Sequence, residues 1–188
     1  RVHRKGINLT RVNAVNQVSR QAERGEITLD GALRALQAIE YSTLYTNKQI
    51  LPAAGISAAA WAIMFGGGIA DFFIAFATAV VVELLTQWMT KRQVHGYMAT
   101  LLCSFVSTIL PQLVCHALQT GSPEACIAGA LMPLLPGLAM TNAIQDTMRG
   151  DIVSGVAHGM NAILIARMIA GGTLCASSLF HLLIGGLM

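Results

Sequence analysis

The chain has 188 residues, of which 54% are hydrophobic and 11% are charged, and its formal net charge is +3. Because soluble domains usually carry about 25% charged residues, this composition excludes an ordinary soluble globular protein. The small net charge gives no reason to expect nucleic-acid binding. The charge is unevenly placed, since residues 1–49 hold eight of the twelve Lys and Arg and four of the nine Asp and Glu. We therefore predict a polar domain at residues 1–49 and a transmembrane domain at residues 50–188.

The polar domain is predicted to be a hairpin of two amphipathic helices. Gly25 is expected to end the first helix, and Thr28 has a side chain suited to capping the second. Apolar residues recur at helical spacing in the second helix, at Leu29, Leu33, Leu36 and Ile39. Both helices are too polar to span a bilayer. We expect the hairpin to pack under the membrane domain on the cytoplasmic side, with a separate binding module as the alternative.

Five apolar segments follow, and a transmembrane helix needs about 20 apolar residues. They lie at Pro52–Phe65, Phe72–Met89, Tyr97–Leu118, Ala125–Met140 and Ile152–Ile184. The first and fourth are short, and the last is long enough to extend beyond the bilayer or to bend at Gly171-Gly172. Lys and Arg occur only in alternate loops, at Lys91, Arg92 and Arg149. By the positive-inside rule, this alternation predicts a multi-pass protein with a cytoplasmic N-terminus.

A helix break is predicted near the end of the fourth segment, at Met132–Gly137. This stretch contains two prolines and a glycine, and proline removes a backbone donor and clashes with the preceding helical turn. Irregular backbone is tolerated at membrane depth only where it is buried in protein or lines a watery cavity, and secondary transporters place binding sites at such breaks. We predict that freed amides around Pro136 and Gly137 face a substrate carboxylate.

Polar residues after the break are candidates for binding and proton coupling. Asn142 would hold the turn or the ligand, and Asp146 would bind a coupling proton or pair with Arg149. Asp151 is a second candidate for proton coupling in this region. The fifth segment has a polar stripe on one helical face, at Asp151, Ser154, His158 and Asn161. This stripe either lines a transport path or bonds to a neighbouring helix.

Two charged residues inside apolar segments have open alternatives. Glu83 could carry a coupling proton, or it could be a boundary residue that snorkels or pairs with Lys91 or Arg92. Arg167 is the only basic residue well inside an apolar run. It could bind an anionic carboxylate, or it could pair with Glu83 or Asp71. Ionisable groups in lipid are costly and usually face the protein interior, so both residues are kept as candidates.

Small and hydroxylated residues predict close helix packing or a pore lining. Gly155 and Gly159 form a G-x-x-x-G pattern, which lets another helix approach closely. In the third segment Ser104, Ser107 and Thr108 lie on one face, ahead of Pro111. These hydroxyls would either line a pore or satisfy carbonyls that Pro111 frees.

The remaining reactive residue types do not predict a metal site or an enzyme. Four cysteines lie in apolar stretches without a C-x-x-C pair, so we expect four buried free thiols, at Cys103, Cys115, Cys126 and Cys175. No two His are four residues apart and no Cys or Met cluster has ligand spacing, so neither a bound metal nor metal transport is expected. The absence of G-x-S-x-G disfavours an intramembrane Ser–His enzyme.

At the fourth and fifth segments the pattern resembles that of the threonine/serine exporter (ThrE-like) family. The matching residues are Leu135-Pro136-Gly137, Asn142-Ala143-Ile144, Asp146, Gly150-Asp151 and Ser154-Gly155. The front hairpin is also similar, at Gly25-Glu26-Ile27-Thr28, Ala32, Leu36 and Ile39. The resemblance covers this chain from about Gly6 to Ala176. In the fused members of the family, it covers only the first half. The chain looks like the larger, YjjP-type subunit of a split two-component exporter.

The resemblance implies an all-α polytopic protein of the bacterial inner (plasma) membrane, with about five transmembrane helices after the cytoplasmic hairpin. It implies a smaller YjjB-type membrane subunit as partner, with a higher-order oligomer expected. It also implies proton-gradient-dependent export of threonine and serine, or of a dicarboxylate such as succinate, rather than an enzyme activity or a cofactor. The absence of a G-x-x-x-x-G-K-[ST] loop is consistent with this.

One departure from the family pattern affects the site. Family members often have Arg shortly after the Ser-Gly pair, where this chain has His158. His158 would bind a carboxylate only when it is protonated, and Arg167 could substitute for the missing Arg. The two alternatives to an exporter subunit are a non-conducting assembly or regulatory subunit, favoured by the small residues at Ala53–Ala60, and a passive channel.

Overall fold

The computed structural model describes residues 9–41 and 47–185. The chain divides into two compact units, one up to residue 46 and the other from residue 47 onward. The first unit contains helices α1 (Leu9–Glu23) and α2 (Leu29–Tyr41). The second contains α3 (Asn47–Met64), α4 (Ile69–Lys91), α5 (Gly96–Leu118), α6 (Pro123–Leu131), α7 (Gly137–Met148) and α8 (Ile152–Gly185). The described residues contain helices and no strands, which confirms the all-α class.

The first unit is the predicted helical hairpin. After α1 ends at Glu23, Gly25 has a φ of +71°, a left-handed conformation that glycine adopts without a steric penalty. The Thr28 hydroxyl accepts a hydrogen bond from the backbone N–H of Gly31 at 3.3 Å, so Thr28 caps α2 as its side chain predicts. Leu29 and Leu33 on α2 are exposed.

Within the described residues, α4, α5 and α8 are each long and apolar enough to cross a membrane. The bent pair formed by α6 and α7 adds a fourth span if it is counted as one, and α3 is a shorter apolar helix at Gln49–Met64. The predicted count of five spans is therefore not confirmed. The last apolar segment is one continuous helix of 34 residues, which corresponds to a length of about 51 Å.

The break predicted at Met132–Gly137 is present. Helix α6 ends at Leu131, a 3-10 turn covers Met132–Leu134, and α7 begins at Gly137 with its direction changed by 55°. The fourth segment was expected to end at Met140, but α7 continues to Met148. The extension has a simple cause: no Gly or Pro follows Gly137 until Gly150, whose φ of +87° ends the helix. Polar composition after the break had suggested a loop.

Helices α5 and α8 run parallel along a continuous seam. Their contacts keep a nearly constant sequence offset, at Tyr97–Asn161, Ser104–Met168, Thr108–Thr173 and Gln112–Ser177. Ser104, Ser107 and Thr108 are fully buried, and the prediction that they line a pore is wrong. Two of these hydroxyls instead bond across the seam, because close helix contact removes water from this face. The Ser107 hydroxyl has no hydrogen-bond partner among the described residues.

Candidate functional site

Helices α7 and α8 form a tight antiparallel hairpin that carries most of the predicted polar residues. Gly155 is buried against α7, and a Cβ at this position would meet the Thr147 hydroxyl and, at 3.1 Å, the Ala143 carbonyl oxygen. At Gly159 an added Cβ would lie 3.8 Å from the Ala143 Cβ, which is an ordinary contact. The close packing predicted from the G-x-x-x-G pattern is therefore present, and Gly155 is the residue that requires it.

The central contact of this hairpin joins Asp146 on α7 to His158 on α8. The His158 Nδ1 and Asp146 Oδ2 atoms are 2.8 Å apart, which is the distance of a charge-assisted hydrogen bond when the imidazole is protonated. The His158 side chain is 42% exposed and the Asp146 side chain is 25% exposed, so neither is sealed inside the described part of the chain. Pairing of Asp146 with Arg149 was the predicted alternative. It is wrong, because Arg149 is exposed and Asp146 bonds to His158.

A second polar contact lies one helical turn further along α8. The Tyr97 hydroxyl donates a hydrogen bond to the side-chain amide oxygen (Oδ1) of Asn161 at 3.0 Å. Asn142 lies one turn before Asp146 on α7, and the antiparallel register places it level with Asn161. Of the alternatives for the polar stripe on α8, bonding to neighbouring helices is therefore observed at both His158 and Asn161.

Tyr97 was not selected from the sequence as a candidate residue of the site. It lies at the start of an apolar segment, where an aromatic hydroxyl often needs a polar partner. Nothing in the sequence alone shows that α5 and α8 are neighbours in this register, so the partner of Tyr97 could not be found. The spacing of His158 and Asn161 was the available signal, because residues three apart share a helical face.

Asp151 has a structural role at the start of α8. Its Oδ1 atom accepts a hydrogen bond from the Ser154 backbone N–H at 3.2 Å, as an N-cap residue does. Hydrogen bonds from the Ser154 side chain and backbone lower the pKa of the Asp151 carboxyl, and the nearby His158 adds to this effect. A carboxyl held in its charged form is a poor carrier of a coupling proton, so we assign Asp151 to capping.

Capping by Asp151 gives a testable pH dependence. Because the folded-state pKa is lowered, the stabilisation is present above the unfolded-state pKa and is lost as the pH falls through the folded-state value. We expect Asp151→Ala to lower the unfolding temperature at pH 7 and to match wild type in strong acid. Asp151→Asn retains a capping side chain and should lose the pH dependence without the neutral-pH defect. Thermal unfolding of the purified protein in detergent at both pH values measures this, and a defect of Asp151→Ala that is unchanged in acid would contradict it.

Pro136 and Gly137 lie at the start of α7, away from the Asp146–His158 contact. Asp146 follows Gly137 by nine residues, which is about 14 Å along the helix. Pro136 provides no side-chain hydrogen bond to the first turn of α7. An added Cβ at Gly137 would meet no atom of the described residues within 4 Å, so this position faces open space. The Gly137 N–H donates to the Leu135 carbonyl oxygen at 2.9 Å, so the amides at this helix start that have no backbone partner among the described residues are those of Leu138 and Ala139.

Glu83 lies apart from the hairpin, beside a cavity of about 340 Å³ that also contacts Ile50 and Thr86. Its Oε1 atom accepts a hydrogen bond from the Gln87 side-chain amide at 3.1 Å. In the described part of the chain no ion pair joins Glu83 to Lys91 or Arg92. The Arg92 guanidinium instead lies over the Trp88 ring, 5.6 Å from its centroid.

Arg167 is not brought to the hairpin. It follows His158 by nine residues, so it projects from the opposite side of α8, at about 180°. Its side chain is exposed, and within residues 9–41 and 47–185 no ion pair joins it to Glu83 or Asp71. The suggestion that Arg167 replaces a family Arg near His158 is therefore wrong for this arrangement of α8.

Comparison with known proteins places this chain in a family. The family model described as "Putative threonine/serine exporter" (ThrE) matches residues 1–180. The probable succinate transporter subunit YjjP of Escherichia coli K12 is 23% identical over 181 residues, which cover 96% of this chain and 70% of that protein. The threonine/serine exporter of Corynebacterium glutamicum is 26% identical over 171 residues, which cover 88% of this chain and 35% of that protein. No solved structure matches the chain.

Proposed function

Because this chain belongs to the ThrE family of putative threonine/serine exporters, we propose that it is one subunit of a secondary exporter of small hydrophilic metabolites. Its relatives are named as transporters rather than enzymes. The chain spans 70% of the Escherichia coli relative and only 35% of the Corynebacterium relative. The Escherichia coli relative is named a transporter subunit, and we propose that a smaller YjjB-type membrane subunit in the same bacterial inner membrane completes the transport activity.

The observation that carries this proposal is the Asp146–His158 contact beside a broken span. A carboxylate and an imidazole 2.8 Å apart can share one proton, and both are side chains of a type that binds and releases protons. Proton relays in membrane transporters use side chains of these types. We propose that protonation of this contact drives export, with Glu83 as a second candidate for proton coupling.

The same region offers groups for a substrate with a carboxylate. The amides of Leu138 and Ala139 in the first turn of α7 and the positive end of its helix dipole favour an anion near Pro136 and Gly137. Asn142 and Asn161 lie between this point and the Asp146–His158 contact and add neutral hydrogen-bonding groups. An amino acid such as threonine or serine, or a dicarboxylate such as succinate, has the charges that these groups would bind.

Flux through reconstituted vesicles tests the function. We expect efflux of labelled threonine, serine or succinate from vesicles that contain both this chain and the smaller subunit, and only when a pH gradient is imposed. A protonophore should abolish accumulation against the solute gradient. The control is the same preparation with either subunit omitted. Equal flux with and without this chain would contradict the proposal, and flux that only ever runs down the solute gradient would identify a passive channel.

A non-conducting assembly subunit is the second candidate, and the α5–α8 seam favours it. The polar groups of α5 at Ser104, Thr108 and Gln112 are directed into helix contacts rather than into a path. Labelling of single introduced cysteines during transport separates the two candidates. Substrate protection at Asn142 or Asn161 would support a pathway through this chain. Protection confined to the smaller subunit would support the scaffold.

A further inference from the structure

A cluster of three metal-ligating side chains is buried at the opposite end of the membrane unit. Asp71 in the first turn of α4, Cys115 near the end of α5 and Cys126 near the start of α6 have ligand atoms that all lie within 4.8 Å of one another. Their relative exposures are 3%, 5% and 0%. The prediction of a buried free thiol is confirmed for Cys115 and Cys126. For Cys175 the predicted burial is wrong, because this free thiol is exposed.

We propose that Asp71, Cys115 and Cys126 form a binding site for one divalent, thiol-seeking cation such as Zn²⁺. Two thiolates and one carboxylate are a ligand set that Zn²⁺ accepts, with the fourth tetrahedral position left for water. Hard cations such as Mg²⁺ and Ca²⁺ require six or more oxygen ligands, which this cluster does not provide. The three residues are far apart in the sequence, so their spacing gave no sign of the site.

The carboxylate of Asp71 is already oriented as a ligand. Its Oδ2 atom accepts a hydrogen bond from the Gly68 N–H at 2.8 Å, and its Oδ1 atom accepts one from the Ser122 N–H at 2.7 Å. Gly121 has a φ of +86° and approaches Asp71 so closely that a Cβ there would collide with Oδ1. Backbone donors that fix a ligand in this way are typical of the outer shell of metal sites.

Charge balance selects a divalent cation. The Cys126 thiol donates to Asp71 Oδ1, with 3.3 Å between the two atoms, so the cluster now consists of one carboxylate and two neutral thiols and has a net charge of −1. A divalent cation that displaces both thiol protons leaves the net charge at −1. No additional charge is then buried, which avoids the large desolvation penalty of an uncompensated ion. A monovalent cation keeps the net charge at −1 only if it displaces a single thiol proton, and it would then be held by one thiolate rather than two.

An entry route is present. Cys115 lines an open cavity of about 560 Å³ together with Gln112, His116, Gln119 and Phe180. A cation can therefore approach the cluster from the side of Cys115. Once bound, it would join the ends of three helices, α4, α5 and α6, which otherwise meet through the Asp71 hydrogen bonds.

Protection of the thiols in the wild-type chain tests the site without any substitution. The purified, fully reduced full-length chain is treated with a chelator and then with maleimide, with or without Zn²⁺, and mass spectrometry measures alkylation of each cysteine. At a Zn²⁺ concentration about ten times the dissociation constant, alkylation of Cys115, which lines the cavity, should fall about tenfold, while the exposed Cys175 is unchanged. Equal rates with and without Zn²⁺ at Cys115 would overturn the proposal.

Co²⁺ provides a spectroscopic check of the ligands. The chain should bind one Co²⁺ with a thiolate-to-metal absorption band that Zn²⁺ removes, and Cys126→Ser should lose this band. Cys175→Ser is the matched control and should keep it. A band that persists in Cys126→Ser, or a stable Cys115–Cys126 disulfide in place of metal uptake under reducing conditions, would also overturn the proposal.

Discussion

Asp146→Asn is expected to reduce export at least about tenfold, because loss of a charge-assisted hydrogen bond removes about 1.5–3 kcal/mol and each 1.4 kcal/mol is a factor of about ten. The Asn side chain keeps the size of Asp146 and loses the proton-binding carboxylate, so the change tests proton transfer rather than packing. Export is measured in reconstituted vesicles with the smaller subunit present, at equal amounts of this chain. His158→Asn should give a loss of similar size, since the two side chains share one contact at 2.8 Å.

The double variant Asp146→Asn with His158→Asn separates a shared role from two independent ones. Groups that act together have non-additive effects, so the double variant should export no more slowly than the slower single variant. Arg149→Gln is the control, because this exposed residue follows α7 and has no ion pair within the described residues. Near-normal export by both single variants would remove the proposed proton site. Multiplied losses in the double variant would show separate roles.

Gly172→Ala is expected to destabilise the membrane unit by about 1–3 kcal/mol, as overpacking of a close contact does. An added Cβ at Gly172 would collide with the Ser104 hydroxyl and the Leu101 carbonyl oxygen, and it would lie 3.0 Å from the Phe105 backbone nitrogen. Two of these obstacles are backbone atoms that cannot rotate away. Helices α5 and α8 would have to separate, which breaks their shared hydrogen bonds.

The neighbouring residue provides the matched control. An added Cβ at Gly171 meets no atom of the described residues within 4 Å. Gly171→Ala should therefore stabilise the helix by about 0.5–1 kcal/mol, since alanine loses less backbone freedom on folding. Thermal unfolding in detergent, together with the yield of monodisperse protein, gives both values. Equal unfolding temperatures for the two variants would show that the α5–α8 seam does not require glycine at this position.

The features that depend on local chemistry were predictable from the sequence. Pro136 and Gly137 break a helix wherever they lie together, so the break was placed correctly without any knowledge of the neighbouring helices. Gly25 and Thr28 likewise determine the turn of the hairpin through backbone conformation and capping. The spacing of His158 and Asn161 was sufficient to put both on one helical face.

The features that depend on which helices meet were not predictable. Asp146 had a charged neighbour in Arg149, and only the antiparallel fold of α7 onto α8 shows that His158 is its partner. The Tyr97–Asn161 bond likewise requires that α5 and α8 run parallel. Arg167 was assigned to the site by its charge, whereas its angular position on a continuous helix directs it to the other side.

The constant offset between α5 and α8 has a consequence for the surroundings of the Asp146–His158 contact. The offset places Gly96, the first residue of α5, level with Met160, so residues 152–159 of α8 extend past the end of α5 by about 12 Å. The charged turn that contains Lys91 and Arg92 lies at this same end. His158 is in this overhang, so its contact with Asp146 lies beyond the first turn of α5.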